Sequence, residues 1–207
     1  MRGVSGKPAA HGIFGSDLSL VQVKSGPKRS AASLLQTELE AAIDGEVRFD
    51  IVSRALYSTD ASVYRIQPLG VVIPKTRSDI VRTLEICRKH RVSVTLRGGG
   101  TSQAGQAIGE GIQIDISKYF NRLLEVNAEE RWARVEPGIV LDELNAQLAP
   151  RGLRFAPDIS TASRATLGGM MANNSAGARS VLYGKTIDHV LEQTVLLADA
   201  PTSSGWR

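Results

Sequence analysis

One cysteine, Cys87, leaves no partner for an intrachain disulfide and no basis for a cysteine-rich zinc or iron–sulfur site. No apolar run comes near the length of a membrane span. Arg2 and Lys7 stand near the start with no apolar stretch behind them, which excludes an ordinary secretory signal. No acidic residue precedes Asp17, a weak feature of transit peptides; a flexible leader over residues 1–29, rich in Gly, Ser, Lys and Pro, is the preferred reading. Basic residues exceed acidic ones only slightly, 25 against 21, and a nucleic-acid binder gathers far more charge on one face. The chain is therefore expected to be a globular protein in a reducing, cytoplasmic setting, with no nucleic-acid partner and no transmembrane segment.

What is present begins with helical spacing. Ser30 and Ser33 offer N-caps for a helix on which Leu35, Leu39 and Ile43 recur every four residues, and Gly45 stops it. Residues 46–67 show no period and read as a loop with short helical turns. "GVVIP" (70–74) is a β-branched run closed by proline. Ser78 and Asp79 are expected to cap a helix with Ile80, Val81, Leu84 and Cys87 inward and a basic last turn that includes His90. "VSVTL" (92–96) reads as a buried strand, which completes a strand–helix–strand unit.

Further on, "IQIDI" (112–116) alternates as a half-buried strand should, and 122–126 and 132–136 are further strand candidates. Trp132 is expected in the core. A helix follows with Leu141, Leu144 and Leu148 inward, Asp142 and Glu143 as dipole partners in its first turn, and Gly152 as its stop. The last apolar run is 190–198.

Between the second and third strands stands "LRGGGTSQAG". Consecutive glycines let backbone N–H groups converge on an anion, and Thr101, Ser102 and Gln103 add side-chain donors. The loop alone supports a phosphate cradle and a purely geometric turn equally. It is not a Walker A loop, which ends in Gly-Lys-Ser/Thr, nor the dinucleotide fingerprint of the doubly wound fold, because a strand follows instead of a helix. A second stretch, 155–189, is dense in Gly, Ala, Ser, Thr and Asn. Its small residues suit close approach to a flat, extended ligand, although "LGGMMA" also fits a helix packed tightly on a sheet. Two such segments favour a large nucleotide-type ligand. His189 beside Asp188 reads as a structural or cofactor-proximal polar contact in preference to an acid–base pair, and Tyr183 suits packing and cofactor contact equally.

"LRGGGTSQAG", "VEPGIVLDELN" and "APDISTASRATLGGMMANNSAGARSVLYGKTIDHV", in that order, resemble the N-terminal half of the FAD-linked oxidases. This is the vanillyl-alcohol-oxidase or PCMH-type superfamily, in its D-2-hydroxyacid (D-lactate, glycolate, D-2-hydroxyglutarate) dehydrogenase branch. The resemblance runs from about Tyr57 to Asp199. It implies an α+β, PCMH-type FAD-binding fold of small mixed sheets with flanking helices, incomplete at the C-terminus. Residues 30–67 would precede the domain, 68–200 would form it, and 201–207 would be an atypical tail.

By the same resemblance, Arg97, Gly98, Gly99, Gly100, Thr101, Ser102 and Gln103 would cradle the FAD pyrophosphate through backbone N–H groups. Pro157, Asp158 and Thr161 would line the flavin side. Ala165, Thr166, Gly168 and Gly169 would pass close to the dinucleotide, and Asn173, Asn174, Ser175, Ala176 and Gly177 would complete the wall. Ile73 and Pro74 would sit near the adenine half. Some relatives tether the flavin through a histidine in the glycine loop; none stands here, so FAD is expected to be non-covalent.

The implied chemistry is oxidation of a 2-hydroxy acid by hydride transfer to flavin, with electrons passed to a quinone, cytochrome or other non-nicotinamide carrier. After "VLLAD" the family pattern continues toward a substrate domain, whereas here "APTSSGWR" stands. The substrate arginine, the histidine base and any metal ligand are therefore not expected in this chain, and its catalytic residues stay unassigned. A non-catalytic, truncated FAD-binding fragment is the alternative. The peptidoglycan-precursor reductase branch is a weaker one, since no nucleotide-sugar site is visible.

Overall fold

The computed structural model describes residues 27–198 and 202–206, with side chains described for 32–198. The expected leader falls, up to residue 26, outside the described residues. Helix α1 (Pro27–Ala42) opens on a proline, whose fixed φ suits a first helical position. Ser30 and Ser33 therefore lie inside the helix and do not cap it. Leu35 and Leu39 are buried, and Ile43 packs beside them just past the helix end.

Four strands form the first sheet: β1 (Glu46–Arg48), β2 (Gly70–Ile73), β3 (Val94–Arg97) and β4 (Ile112–Asp115), in the order β1-β2-β4-β3. The three later strands run parallel, and β1 is antiparallel to β2. Helix α2 (Ile51–Leu56) fills the aperiodic segment between β1 and β2; Asp50 starts it by accepting from the Ser53 amide at 2.8 Å. α1, β1 and α2 are thus built into the same lobe as the residues after 68.

The strand–helix–strand unit is present, but its strands are not neighbours, because β4 inserts between them. This position explains why the alternation of "IQIDI" misleads. A central strand of a parallel sheet is covered on both faces, and every residue of β4 is buried. Ile112 and Ile114 join Leu35, Leu39, Val72, Ile86 and Cys87 in one core cluster. Gln113 and Asp115 face the other way, beneath Tyr57, which accepts from Gln113 Nε2 through its carbonyl and donates from its hydroxyl to Asp115. β3, expected to be buried, is the edge strand, with Leu96 60% exposed.

Helix α3 (Arg77–Lys89) is capped two residues earlier than expected. Thr76 is its N-cap and Asp79 its third residue, in a reciprocal capping box: the Asp79 amide donates to Thr76 Oγ1 at 3.1 Å and the Thr76 amide to Asp79 Oδ2 at 3.1 Å. Because the inward stripe starts at Asp79, it continues through Thr83, Ile86 and Cys87; Ile80, Val81 and Leu84 are only half-buried.

Burial pushes the Cys87 thiol up to about 11, and the residue is 1% exposed. Native protein at pH 8 should therefore react with an uncharged thiol reagent at least roughly 10²-fold more slowly than unfolded protein. Equal rates would mean that the α1–α3 interface opens freely.

The second lobe holds an antiparallel hairpin, β5 (Leu123–Asn127) and β6 (Trp132–Val135), with helices α4 (Leu141–Leu148) and α5 (Leu167–Asn173). Leu141, Leu144 and Leu148 are buried as expected, together with Ile139, Ala165, Leu167 and Met170. Asp142 and Glu143 lie exposed in the first turn of α4. Gly152, at φ 69°, ends the short 3-10 turn after it, in the left-handed region that glycine tolerates. Trp132 is half-buried, not a core aromatic, and its indole N–H donates to Glu130 at 2.7 Å. After a one-turn helix α6 (Ser180–Tyr183), strand β7 (Glu192–Leu196) pairs antiparallel with β8 (Thr202–Trp206). Among the described residues no helix is long and apolar enough to cross a membrane.

Candidate cofactor-binding site

Parallel pairing brings the C-terminal ends of β2, β3 and β4 to one end of the sheet, the end where ligands sit in open parallel sheets. Arg97 closes β3 there, and the glycines leave the sheet at once. No helix makes the return to β4; residues 98–111 cross back as a loop. Ile73 and Pro74 end β2 at the same place, but both are buried, so neither presents a free side chain.

Each glycine of the loop answers a different steric demand. A Cβ on Gly98 would lie 2.1 Å from Thr166 Oγ1, and one on Gly99 only 2.0 Å from the Arg164 carbonyl oxygen. The loop therefore touches 164–166 backbone to backbone, and this contact joins the two lobes. Gly100 has φ 65°, and its open face is filled by the Arg97 guanidinium, 2.6 Å from where a Cβ would stand. Arg97 is occupied from below: it donates to the Ala107 carbonyl at 3.0 Å and lies over the Tyr57 ring at 5.2 Å.

The amide N–H groups from Gly98 to Gln103 donate to no other described residue. Ser102 differs from expectation. Its hydroxyl turns into the loop, accepting from the Ala104 and Gln106 amides and donating to the Gln106 side chain at 2.9 Å. Gln103 is exposed and Thr101 half-buried.

The second segment is a helix packed tightly, as one of the two sequence-based alternatives required. Thr166 caps α5, while Leu167 donates to Ile139 at 2.9 Å and Gly168 to Pro137 at 2.7 Å. These first amides are engaged, so the start of α5 is not an anion site. Ala165, Thr166 and Pro157 are buried, and the Thr161 carbonyl accepts from Arg164 and Ala165 at 2.8 Å each.

Asp158 forms ion pairs with Arg179 at 3.3 Å and Arg154 at 3.7 Å, and its carbonyl leaves no room for a Cβ on Gly177. Asn174, at φ 46°, accepts from the Ile187 amide, and Ser175 accepts from Thr186, so both tie α5 to the turn at 186–189. Asn173 and Ala176 are exposed, and Gly169 meets only its own cap. His189 is held structurally, 2.7 Å from the Tyr183 carbonyl and edge-on to Phe155. Asp188 instead accepts from the Lys185 amide at 2.8 Å.

The structure thus brings Arg97–Gly100 against Ala165 and Thr166, and Asp158 against Gly177. Ile73 and Pro74 share the sheet end but lie in neither of these contacts. Sequence reasoning missed Arg164, against which Gly99 is set, and the segment Tyr57–Ala61 beneath the loop. Arg164 stands inside the quoted 156–190 motif, but nothing there marks its carbonyl as the partner of Gly99, and 57–61 shows no period.

A parallel-centred α+β lobe, joined to a helix–hairpin lobe through bare glycine contacts with unengaged amides at the joint, has the architecture of nucleotide-binding flavoproteins. The same fold occurs in p-cresol methylhydroxylase with substrate bound (TM-score 0.75, 17% identity, covering 85% of this chain and 35% of that one). It occurs also in alkyldihydroxyacetonephosphate synthase (TM-score 0.74, 23% identity, covering 83% and 34%).

The FAD binding domain family matches residues 68–202, and the chain belongs to this family. D-2-hydroxyglutarate dehydrogenase of Pseudomonas putida is 42% identical over 175 residues, 83% of this chain and 17% of the dehydrogenase. Glycolate oxidase subunit GlcD of Bacillus subtilis is 35% identical over 161 residues, 76% of this chain and 34% of that subunit. The expected FAD-binding family and fold are therefore shown, and the cofactor of the family is FAD. The chain spans only a minor part of these relatives' length.

Proposed function

We propose that this chain is the FAD-binding portion of a dehydrogenase that oxidises a D-2-hydroxy acid. The observation that carries the cofactor assignment is the run of unengaged N–H groups from Gly98 to Gln103, at a joint where the glycines admit no side chain. Such a nest fits a diphosphate. In this reading those amides hold the diphosphate, Ala165, Thr166, Gly168 and Gly169 pass close to the dinucleotide, Pro157, Asp158 and Thr161 line the flavin side, Asn173–Gly177 complete the wall, and Ile73–Pro74 border the adenine half. Bound flavin supplies a hydride acceptor for a carbinol carbon. The chain's own residues orient the cofactor and exclude water from one side of it.

The likeness to D-2-hydroxyglutarate dehydrogenase and to glycolate oxidase subunit GlcD supports the D-2-hydroxy acid substrate. A cytoplasmic location and a quinone, cytochrome or similar electron carrier complete the proposal. With no histidine in the loop, the flavin is held without a covalent bond.

Titrating the purified chain with FAD should quench flavin fluorescence, and acid precipitation should release all of the flavin. No quenching up to about 100 µM FAD, the range of weak cofactor binding, would sink the assignment. A second reading, a portion that binds FAD but performs no reaction by itself, is favoured by the 17% of the dehydrogenase's length that the chain matches. The exposed apolar residues Val181, Leu182 and Leu191 agree with it. Anaerobic D-2-hydroxyglutarate separates the two: bleaching of the bound flavin supports the enzyme, and an unchanged spectrum supports the second reading.

A further inference from the structure

The segment under the glycine loop lies outside the residues matched to the family, yet it holds the loop at Gly100 and Ala107. The Ala61 amide donates to the Gly100 carbonyl at 3.1 Å. Asp60 Oδ2 accepts from the Ala107 amide at 3.4 Å, and its Oδ1 holds the Ser62 amide at 2.9 Å. The Ala107 carbonyl takes the Arg97 guanidinium, so this one residue is gripped at both backbone groups. Arg97 itself is kept in place by the Tyr57 ring. Tyr57 is fixed in turn by its hydroxyl bond to Asp115 at 2.5 Å and by Gln113 at its carbonyl.

Two carboxylates, Asp60 and Asp115, accompany the Arg97 guanidinium beneath the loop. Burial works to raise the Asp60 pKa, but the Ser62 and Ala107 amides and Arg97 outweigh it and keep the carboxyl below its ordinary value. Burial, then the Asp115 bond, pushes the Tyr57 phenol up, so it stays a donor at neutral pH. Arg97 is therefore compensated and turned away from the ligand side. Anion recognition falls to neutral N–H dipoles, whose aim depends entirely on loop shape.

We propose that Asp60 and Tyr57 are positioning residues for the cofactor: through Ala107, Gly100 and Arg97 they set the loop so that the amides of 98–103 stay free of protein acceptors and converge. This rests on the FAD assignment for its ligand but not for its geometry. A loop without this underpinning would satisfy its own amides or open to solvent, and a diphosphate would then have to reorder it on binding.

The test uses the 207-residue chain and the variants Asp60→Ala, Asp60→Asn and Tyr57→Phe, with two readouts. Hydrogen exchange of the FAD-free proteins should show the hydrogen-bonded amides of Ala104, Gln106 and Ala107 exchanging about tenfold faster in D60A, with peptides over α3 and α4 unchanged. D60N, which keeps one acceptor, should fall between. Y57F should show the same pattern more weakly and keeps the test informative should D60A fail to fold. FAD affinity should fall in the same order, while the melting temperature stays near that of the parent. Unchanged loop exchange in both D60A and Y57F, or a uniform rise across all peptides, would overturn the proposal. If the parent chain fails to bind FAD, the cofactor assignment falls and the exchange experiment still judges the positioning role.

Discussion

Gly99→Ala is expected to abolish FAD binding and to cost about 2–3 kcal/mol of stability, the upper range for overpacking. The added methyl would stand 2.0 Å from the Arg164 carbonyl oxygen, which is backbone and cannot rotate aside. Either the loop withdraws from 164–166 or that segment moves, and both part the two lobes at the joint where the free amides lie. Gly98→Ala meets the Thr166 hydroxyl instead, which can turn away at the expense of capping α5. Its effect should be smaller.

Gly152→Ala supplies the control. Its Cβ meets nothing within 4 Å, but φ is 69°, so it carries only the left-handed penalty of about 1–2 kcal/mol. Urea unfolding together with FAD titration distinguishes the three: G152A should lose stability and keep affinity, whereas G99A should lose both. Intact FAD binding by G99A would contradict the close contact between the lobes.

Asp79→Ala is expected to be the most damaging single change in the first lobe. This buried carboxylate accepts from the amides of Lys75, Thr76 and Asp44 at 2.8, 3.1 and 3.3 Å, and from the Thr76 hydroxyl at 2.8 Å. Removing it breaks the reciprocal half of the α3 capping box and frees the turn that links β2 to α3 and the end of α1. The loss should be roughly 2–4 kcal/mol, given the cost of unpaired donors and of a lost cap.

Burial works to raise the Asp79 pKa, but these hydrogen bonds outweigh it and hold the carboxyl below its ordinary value. Its folded pKa is thus depressed, so its stabilisation is fully present above the unfolded value of about 3.9 and is lost as pH falls through the lower folded value. Stability measured by urea unfolding from pH 6 down to pH 3 should therefore decline less steeply in Asp79→Asn than in the parent. Parallel curves would assign the acid sensitivity to other carboxylates.

Local signals were legible and distant ones were not. Leu141, Leu144 and Leu148 share one helical face, and that spacing needs no knowledge of the partner they pack on. The contact of the glycine loop with 164–166 was legible only from the loop's side, where three glycines are bare, since Arg164 and Thr166 carry side chains. The burial of β4 was not, since Gln113 and Asp115 are covered by Tyr57, 56 and 58 positions away. Nothing in "YSTDASVYRIQP" marks Asp60 as the holder of a loop residue 47 positions on. The cap of α3 was misplaced by preferring Ser78 to Thr76, although Thr76 and Asp79 already stand three apart as a capping box does. The sequence also could not show that Arg97 would face inward, since that depends on a tyrosine from another segment.

The order of strands has a kinetic consequence. β2 and β3 never pair with each other, so a nascent chain ending before residue 112 holds two strands that lack their common neighbour. Only when β4 slots between them can the sheet close, and the same event draws residues 98–111 taut across its face. The cofactor loop is therefore made late, by a contact between distant parts of the chain, and such contacts slow folding. The chain should pass in one cooperative step from having neither sheet nor loop to having both, with FAD able to bind only after that step.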